Sequence, residues 1–271
     1  MKYETLVIEK RGETAVVSLH RPEKLNAIND RLQVDLIALC GELQRDLDTR
    51  FVIVTGAGRA FSSGADVGAM RGRGPGDGPS PEDAARLGQF RGQEMLRRLE
   101  QLEQITFACI HGYCLGGAVS IAMACDFRIA TEDAILGLPE AAIGAFYTWG
   151  STPRLARLVG PSRAKEWIMT CENISGATAL EWGLVDKAVP AGEAVRRAEE
   201  MIDKMKGRGP MALRLTKKLV NAWAFRGMGD LFVAEPELMH ELTASGEMQE
   251  GVSAFLEKRA PQFLKPKPRR S

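Results

Sequence analysis

The chain has 271 residues, and 45% of them are hydrophobic, which is enough to build one large domain or one domain with an appendage. The formal net charge is +1, so no overall field favours nucleic acid or a membrane surface as a partner. The N-terminus lacks the apolar core of a signal peptide, and no stretch approaches the length of an uncharged membrane span.

The cysteines give no sign of a disulfide framework or a metal site. They are odd in number, unclustered and set in apolar runs, at Cys40, Cys109, Cys114, Cys125 and Cys171. No C-x-x-C pair and no metal-ligand spacing occurs among them. We expect buried, reduced thiols in a cytoplasmic protein that holds no metal.

In chain order, the first predicted elements are a hairpin and a crossover unit. Residues 5–8 and 15–19 are predicted strands joined by a polar turn. Residues 29–48 carry leucines at helical spacing and predict an amphipathic helix, and the apolar residues 51–55 predict a buried strand. A strand, a helix and a strand at this spacing favour a right-handed crossover.

A segment rich in turn formers follows at residues 71–81, where glycine and proline dominate and no core pattern exists. We predict a flexible loop there, either a lid over a nearby site or a passive surface insertion. A helix is predicted over residues 81–104. The next strand, helix and strand are predicted between residues 106 and 130, and a short strand over residues 134–138.

Most of the remaining chain is predicted to be helical. The predicted elements are helices over 151–158, 162–170 and 176–182, a short strand over 185–189, and helices over 193–206, 211–224, 229–245 and 249–259. The composition becomes all-helical after about residue 193. We therefore predict an α/β core over residues 1–192, a helical region over residues 193–271, and a solvated basic tail at 265–270.

The most informative motif is Cys114-Leu115-Gly116-Gly117-Ala118-Val119-Ser120, with Leu138-Pro139-Glu140 behind it. The glycine pair follows an apolar, strand-like run at 106–113 and opens a helix of small residues. We therefore expect free backbone N–H groups at a helix N-terminus, where negative charge is stabilised. Glu140 is a lone carboxylate in an apolar setting. A helix end that stabilises an anion, together with one acid/base group, indicates chemistry on a carbonyl compound.

Two further motifs make the prediction more specific. They are Ala60-Phe61-Ser62-Ser63-Gly64-Ala65-Asp66-Val67 and, upstream, Arg21-Pro22-Glu23-Lys24-Leu25-Asn26-Ala27. With all these motifs in this order, from about Leu6 to Phe263, the chain resembles the crotonase superfamily, the enoyl-CoA hydratases and isomerases.

This resemblance implies a fold, a substrate and an assembly. The fold would be a crotonase-like α/β spiral of ββα units with a C-terminal helical region that builds a homotrimer, often paired into a dimer of trimers. The substrate would be an acyl-CoA thioester, which brings coenzyme A with it. No metal or redox cofactor is implied, because the thioester itself takes up the electrons.

By motif position, the resemblance implies that the backbone N–H groups of Ala65 and Gly117 form an oxyanion hole. Two preorganised donors stabilise the enolate that forms when a proton leaves the α-carbon of the thioester. Gly64 and Gly116 permit unusual backbone angles and a close approach of the ligand. Glu140 matches the glutamate that moves protons in this family, and its apolar flanks are expected to raise its pKa.

Ser120 is the main departure, because hydratases of the family carry a second glutamate at this position. Two carboxylates handle a water molecule well, whereas a hydroxyl is not a base near neutral pH. A site with one glutamate suits proton shuttling between two carbons, so double-bond isomerisation is favoured over hydration. Hydrolysis, decarboxylation and C–C lysis use the same oxyanion hole and stay open. Ser120 either positions a water or substrate hydroxyl or is a small residue suited to helix packing.

A second departure follows Glu140, where hydratases have a glycine-rich turn and this chain has Phe146, Tyr147 and Trp149. These aromatic residues would narrow or reshape the acyl pocket. Either they stack on a cyclic or aryl acyl group, with Tyr147 able to supply a phenol, or they are plain core or interface packing. The sequence leaves these alternatives open.

For the coenzyme A moiety, the resemblance points to four positions near these motifs: Lys24, Ala27, Asp66 and Val67. Asp66 alternatively forms a helix cap or an ion pair. Phe255 and Lys258 match a C-terminal segment that reaches coenzyme A, commonly on a neighbouring subunit, and a lysine suits a phosphate. A solvated helix face is the alternative for these two residues.

Overall fold

The computed structural model describes residues 3–70, 81–227 and 229–263. The basic tail predicted at 265–270 and residues 71–80 of the predicted loop lie outside this part of the chain, so both stay predictions.

The strands and helices lie close to their predicted positions. The strands are β1 (Leu6–Arg11), β2 (Thr14–Leu19), β3 (Phe51–Gly56), β4 (Ile105–Ile110), β5 (Tyr113–Leu115), β6 (Phe127–Thr131), β7 (Ile135–Gly137), β8 (Ile174–Ser175) and β9 (Lys187–Val189). The helices are α1 (Asp30–Leu43), α2 (Pro81–Glu100), α3 (Gly117–Met123), α4 (Ser151–Val159), α5 (Pro161–Thr170), α6 (Gly176–Glu181), α7 (Ala194–Lys206), α8 (Pro210–Ala224), α9 (Gly229–Ser245) and α10 (Glu247–Glu257). Short 3-10 helices cover Pro22–Lys24, Val67–Met70 and Ala141–Ile143.

The larger sheet has the strand order β1-β2-β3-β4-β6-β9. The strands β1 and β2 form the predicted antiparallel hairpin, and the other neighbouring pairs are parallel. The strands β3 and β4 are buried along their whole length. Their almost continuous apolar sequences agree with this, since a parallel sheet is covered by helices on both faces.

Alternate residues of β3 point to opposite faces of the sheet, as the two-residue period of a strand requires. Phe51 and Ile53 pack in one cluster with Ala198 of α7, whereas Val52 and Val54 belong to the larger apolar core that includes α1. The helix α7 thus covers one face of the sheet. The division of the chain at residue 192 stays a prediction.

The chain leaves the larger sheet at His111–Gly112, so the strand predicted over 106–113 is present but ends earlier than predicted. The structure divides it into β4, which ends at Ile110, and β5, which begins at Tyr113. Gly112 has a φ of 55°, and a Cβ there would overlap the carbonyl oxygen of Arg59. The turn therefore requires glycine. It moves β5 into a second sheet of order β5-β7-β8, which carries the glycine pair to the candidate site.

All five cysteines are free thiols; those at positions 40, 109, 114 and 125 are buried, and Cys171 is half-buried. Among the helices in the described ranges, none has the apolar length needed to cross a bilayer.

Candidate active site

Two backbone segments that are far apart in the sequence run side by side at the site. The amide of Ser62 donates to the carbonyl of Tyr113 at 3.0 Å, and the amide of Leu115 donates to the carbonyl of Ser62 at 3.1 Å. This parallel bridge places the turn at Ala65 beside the start of α3 at Gly117. The two amides predicted to form an oxyanion hole thus lie on segments that main-chain hydrogen bonds join.

Glycine is required where these segments approach each other. Gly64 has a φ of 84° and Gly116 a φ of 51°, in the region that side chains disfavour. A Cβ on Gly64 would lie 2.5 Å from the carbonyl oxygen of Leu115. Any larger residue at position 64 would therefore push the two segments apart.

The amides of Ala65 and Gly117 donate no hydrogen bond within the described part of the chain. Gly117 is the first residue of α3, where an amide has no acceptor inside the helix. Ile28 holds the residues on either side of Ala65, because its amide donates to the carbonyl of Gly64 at 2.8 Å and its carbonyl accepts from the amide of Asp66 at 2.9 Å. Two fixed amide donors with no protein acceptor suit a developing oxyanion.

Glu140 lies against the same backbone. The amide of Gly116 donates to the carbonyl of Gly137 at 2.8 Å, and β5 pairs with β7, so the chain leaving β7 passes the start of α3. A Cβ on Gly116 would come within 2.5 Å of Oε1 of Glu140. The other carboxylate oxygen, Oε2, is buried, and no group of the described residues hydrogen-bonds to it.

The electrostatic setting of Glu140 suits an acid/base group. Burial raises the pKa of Glu140 from 4.5 to about 7, because the carboxylate loses its hydration while the neutral acid loses little. A carboxyl group with a pKa in this range takes up and releases protons near neutral pH.

Ser120 is fully buried and is the middle member of a chain of three hydroxyl groups. Its Oγ donates to Oη of Tyr147 at 2.9 Å and accepts from Oγ of Ser151 at 2.7 Å. The position where the resemblance implies a second glutamate in hydratases therefore carries a hydroxyl that holds a phenol in place.

The phenol of Tyr147 lies close to the catalytic candidates. Its oxygen is 3.5 Å from the carbonyl oxygen of Gly116, at the outer limit of a hydrogen bond. Burial raises the pKa of Tyr147 well above its ordinary value, and the charge of Glu140 raises it further. The phenol is therefore protonated at neutral pH, and its proton is available to a ligand that presents a better acceptor.

Trp149 places its indole at the start of α3. A Cβ on Gly117 would lie 2.5 Å from Cζ3 of the indole and 3.4 Å from Cδ1 of Ile28. Trp149 has a φ of 59°, which is rare for a bulky residue. Of the three aromatic residues considered for the acyl pocket, Tyr147 and Trp149 thus border the candidate site. Phe146 is half-buried, and its place in the pocket stays a prediction.

Two charged side chains hold the turn that carries Trp149. Arg154 donates to the carbonyl of Gly150 at 2.7 Å and to that of Trp149 at 3.3 Å, and its guanidinium pairs with Glu100 at 2.5 and 2.7 Å. Glu235 of α9 accepts from the amide of Gly150 at 2.7 and 2.8 Å. A residue of the C-terminal helices therefore fixes the backbone next to the site.

Four of the predicted coenzyme A positions lie in the two segments around Ala65: Lys24, Ala27, Asp66 and Val67. Lys24 is exposed at the end of a 3-10 helix. Arg21 connects the segments, because its guanidinium donates to the carbonyl of Ala27 and pairs with Asp66 at 3.0 Å. The ion pair considered for Asp66 is thus present, and the contacts of all four residues with coenzyme A stay predictions.

Phe255 and Lys258 lie apart from this cluster, at the end of α10. Phe255 is 59% exposed and Lys258 is also exposed, so both face away from the core of their own subunit. The middle of α10 packs on the turn after Glu140, where Gly251 touches the backbone of Ile143. Their predicted contact with coenzyme A on a neighbouring subunit is untested. In the described ranges, no group of three or more potential metal ligands occurs.

The sequence prediction missed four residues that build the site: Gly92, Ser151, Arg154 and Glu235. Gly92 does carry a signal, because glycine in the interior of an amphipathic helix costs about 1 kcal/mol relative to alanine and so indicates a packing reason. The other three residues act across the fold and leave no local pattern.

Comparison with known proteins shows which family the chain belongs to. The family model for enoyl-CoA hydratase/isomerase matches residues 9–266. A short-chain-enoyl-CoA hydratase of Clostridium acetobutylicum is 35% identical, over 96% of this chain and 97% of the relative. A crotonyl-CoA hydratase of Syntrophomonas wolfei is 32% identical, over 97% and 99%.

Solved structures share the fold over nearly the whole chain. An enoyl-CoA hydratase from Mycobacterium avium subsp. paratuberculosis superposes with a TM-score of 0.85 at 26% identity, covering 97% of this chain and 100% of the other. Pseudomonas aeruginosa DspI superposes with a TM-score of 0.76 at 35% identity, covering 96% of each chain. The family match and these relatives establish that the chain is an enzyme of the enoyl-CoA hydratase/isomerase family and has the crotonase fold.

Proposed function

We propose that the enzyme moves the double bond of an enoyl-CoA thioester, with Glu140 as the proton carrier. One observation carries the proposal: the carboxylate of Glu140 lies against Gly116, next to the free amide of Gly117, while position 120 carries a hydroxyl engaged with Tyr147. A single carboxylate beside an oxyanion hole suits the transfer of one proton between two carbons.

In the proposed reaction, the thioester carbonyl oxygen accepts hydrogen bonds from the amides of Ala65 and Gly117. Glu140, as carboxylate, takes a proton from C2 of a 3-enoyl ester, and the electron pair of that C–H bond moves onto the carbonyl oxygen to form a dienolate. Glu140 then returns the proton to C4, and the double bond shifts to C2–C3. No other reactant is needed, and the enzyme ends as it began.

Hydration is the second candidate. Two observations favour it: the phenol of Tyr147 is hydrogen-bonded to Ser120, the position where the resemblance implies a second glutamate in hydratases, and the two relatives above are both named as hydratases. In that reaction, water would add to C3 of a 2-enoyl ester while Glu140 protonates C2. Thioester hydrolysis or decarboxylation would use the same oxyanion hole with a different acyl group.

The coenzyme A moiety is proposed to bind at Lys24 and the backbone of Ala27, Asp66 and Val67, which lie beside Ala65. No further cofactor is proposed, because the thioester carbonyl accepts the electrons of the reaction. The free thiols of the cysteines suit the reducing conditions of the cytoplasm, which is the proposed location.

A homotrimer or a dimer of trimers is the proposed assembly. Helix α8 exposes large apolar side chains at a spacing of four residues: Met211 (58%), Leu215 (51%), Leu219 (72%) and Trp223 (78%). These residues form one stripe on the helix, and an apolar stripe of this size on a soluble protein marks an interface. Light scattering of the purified protein tests this, and a stable monomer would contradict it.

The reaction is tested by incubating the enzyme with 3-hexenoyl-CoA and, separately, 2-hexenoyl-CoA in deuterated water. Deuterium uptake with migration of the double bond and no added water would support isomerisation. Addition of water to the 2-enoyl ester as the faster reaction would support hydration. Release of free coenzyme A thiol would indicate hydrolysis and contradict both.

A further inference from the structure

The indole of Trp149 spans the gap between the start of α3 and helix α2. Its benzene edge touches Gly117, where a Cβ would lie 2.5 Å from Cζ3 and 3.0 Å from Cη2. Its pyrrole edge touches Gly92 of α2, where a Cβ would overlap Cδ1 and Nε1. The ring therefore fills the whole width between one of the two oxyanion donors and α2, and glycine at both ends makes room for it.

A cleft along α2 shares this ring with the candidate site. Its lining consists of Trp149 together with Phe90, Gln93, Glu94, Arg97 and Arg154. Phe90 is 46% exposed and offers apolar surface there. Because Trp149 borders the cleft and also touches Gly117, its indole forms a wall between the cleft and the site.

The wall is held in place by the backbone that carries it. Trp149 and Gly150 both have positive φ, 59° and 70°. Arg154 binds the carbonyls of both residues, and Glu235 binds the amide of Gly150. The backbone conformation of Trp149, which is disfavoured for a tryptophan, is thus held by charged groups on α4 and α9. The backbone that carries the indole is therefore not free to rotate the ring out of this position.

We propose that Trp149 ends the acyl pocket and restricts the enzyme to short acyl groups, a proposal that rests on the acyl-CoA function above. An acyl group whose carbonyl oxygen binds the amides of Ala65 and Gly117 begins beside the indole. The further methylene groups of a longer acyl chain would contact the indole ring, which separates them from the cleft along α2. A long acyl chain is accepted only if the indole leaves its contacts with Gly92 and Gly117.

The test is the affinity for butanoyl-, octanoyl- and dodecanoyl-CoA, measured by calorimetry on the full chain. The wild type should bind the two longer esters no more tightly than the butanoyl ester. Trp149→Ala should open the cleft and gain about fourfold in affinity for each methylene that becomes buried. Trp149→Phe should keep most of the preference for short chains, and Leu87→Ala, an exposed residue of α2 outside the cleft lining, should keep all of it.

Two results would contradict the proposal that Trp149 ends the acyl pocket. One is a wild type that binds dodecanoyl-CoA more tightly than butanoyl-CoA; the other is a folded Trp149→Ala variant with an unchanged chain-length profile. If the wild type binds no acyl-CoA of any length, the proposed acyl-CoA function is wrong, and the proposal that Trp149 limits the acyl chain is wrong as well. Should Trp149→Ala not fold, the profiles of the wild type and Trp149→Phe decide, since a wall at this ring predicts a small relaxation in the latter.

Discussion

The carboxylate of Glu140 and the α-carbon of Gly116 are in direct contact, so close that a Cβ on Gly116 would lie 2.5 Å from Oε1. This contact fixes the acid/base group relative to the amide of the next residue, Gly117. The proposed proton carrier and one proposed oxyanion donor are thus separated by the backbone of a single residue.

Glu140→Gln should lower kcat on a 3-enoyl-CoA by a factor of about 10² to 10⁴, the usual contribution of a positioned acid/base group. Binding should change little, because glutamine has the same size and both backbone amides remain. Steady-state kinetics and calorimetry with a saturated acyl-CoA measure the two effects. Glu132→Gln removes an exposed carboxylate and serves as the control. A Glu140→Gln enzyme within tenfold of the wild-type kcat would contradict the assignment.

Glu140 should also make folding stability depend on pH. Its pKa is raised from 4.5 to about 7, so the folded protein holds this proton more tightly than the unfolded chain does. The resulting stabilisation is complete below pH 4.5 and is lost as the pH rises through about 7. It amounts to about 3 kcal/mol, since one pKa unit corresponds to about 1.4 kcal/mol.

Urea unfolding of the wild type and Glu140→Gln measures this effect. Glutamine cannot ionise, so the free energy of unfolding of the wild type should fall relative to the variant by about 3 kcal/mol between pH 4.5 and about pH 8. A difference that stays constant over this interval would show that the carboxyl is not desolvated in the folded protein.

Tyr147→Phe should lower the ratio of hydration to isomerisation by about a hundredfold. The substitution removes the phenol that is hydrogen-bonded to Ser120, the position where the resemblance implies a second glutamate in hydratases, and leaves Glu140 in place. Ser151→Ala, which removes only the far end of the hydroxyl chain, should have a smaller effect on the ratio. Both rates are measured on the same preparation with 2- and 3-hexenoyl-CoA. If the ratio of hydration to isomerisation is the same in Tyr147→Phe and the wild type, the phenol takes no part in hydration.

Two glycines of α2 offer a matched pair of substitutions. Gly92→Ala should push the indole of Trp149 against Gly117, because a Cβ at position 92 overlaps the ring; we expect a loss of about 1–3 kcal/mol in stability and a lower kcat/KM. Gly88 has no atom within 4 Å of a Cβ, so Gly88→Ala should stabilise the helix by about 0.5–1 kcal/mol. Chemical denaturation measures both, and equal effects at the two positions would contradict the packing of Trp149.

The order of the elements could be predicted from the sequence because it depends on local patterns. The leucines of α1 and the continuous apolar run of β3 specify helix and strand within a few residues. The division between β4 and β5 was not predicted, although a histidine and a glycine stand at 111–112 in the otherwise mostly apolar run at 106–113. It depends on the approach of Gly112 to Arg59, which are 53 positions apart and meet only in the fold.

The candidate site shows the same limit. The roles proposed for Glu140, Ala65 and Gly117 follow from motifs, whereas the hydrogen-bond partner of Ser120 does not. Its hydrogen bond to Tyr147 joins residues 27 positions apart, and that of Gly150 to Glu235 joins residues 85 positions apart. Hydrogen bonds over such separations leave no periodicity in the sequence.

The bridge between Ser62 and Cys114 has a consequence for how this enzyme can change. Because the hydrogen bonds of that bridge join main-chain atoms, they link the segments that carry the amides of Ala65 and Gly117 without using the side chains at positions 120, 147 and 149. Under the proposed mechanism, substitutions at 120, 147 and 149 would alter which proton moves and which acyl group fits, and would leave both amide donors in place. The proposal therefore implies that new reactions on this scaffold would be reached by exchanging a few side chains around a constant backbone.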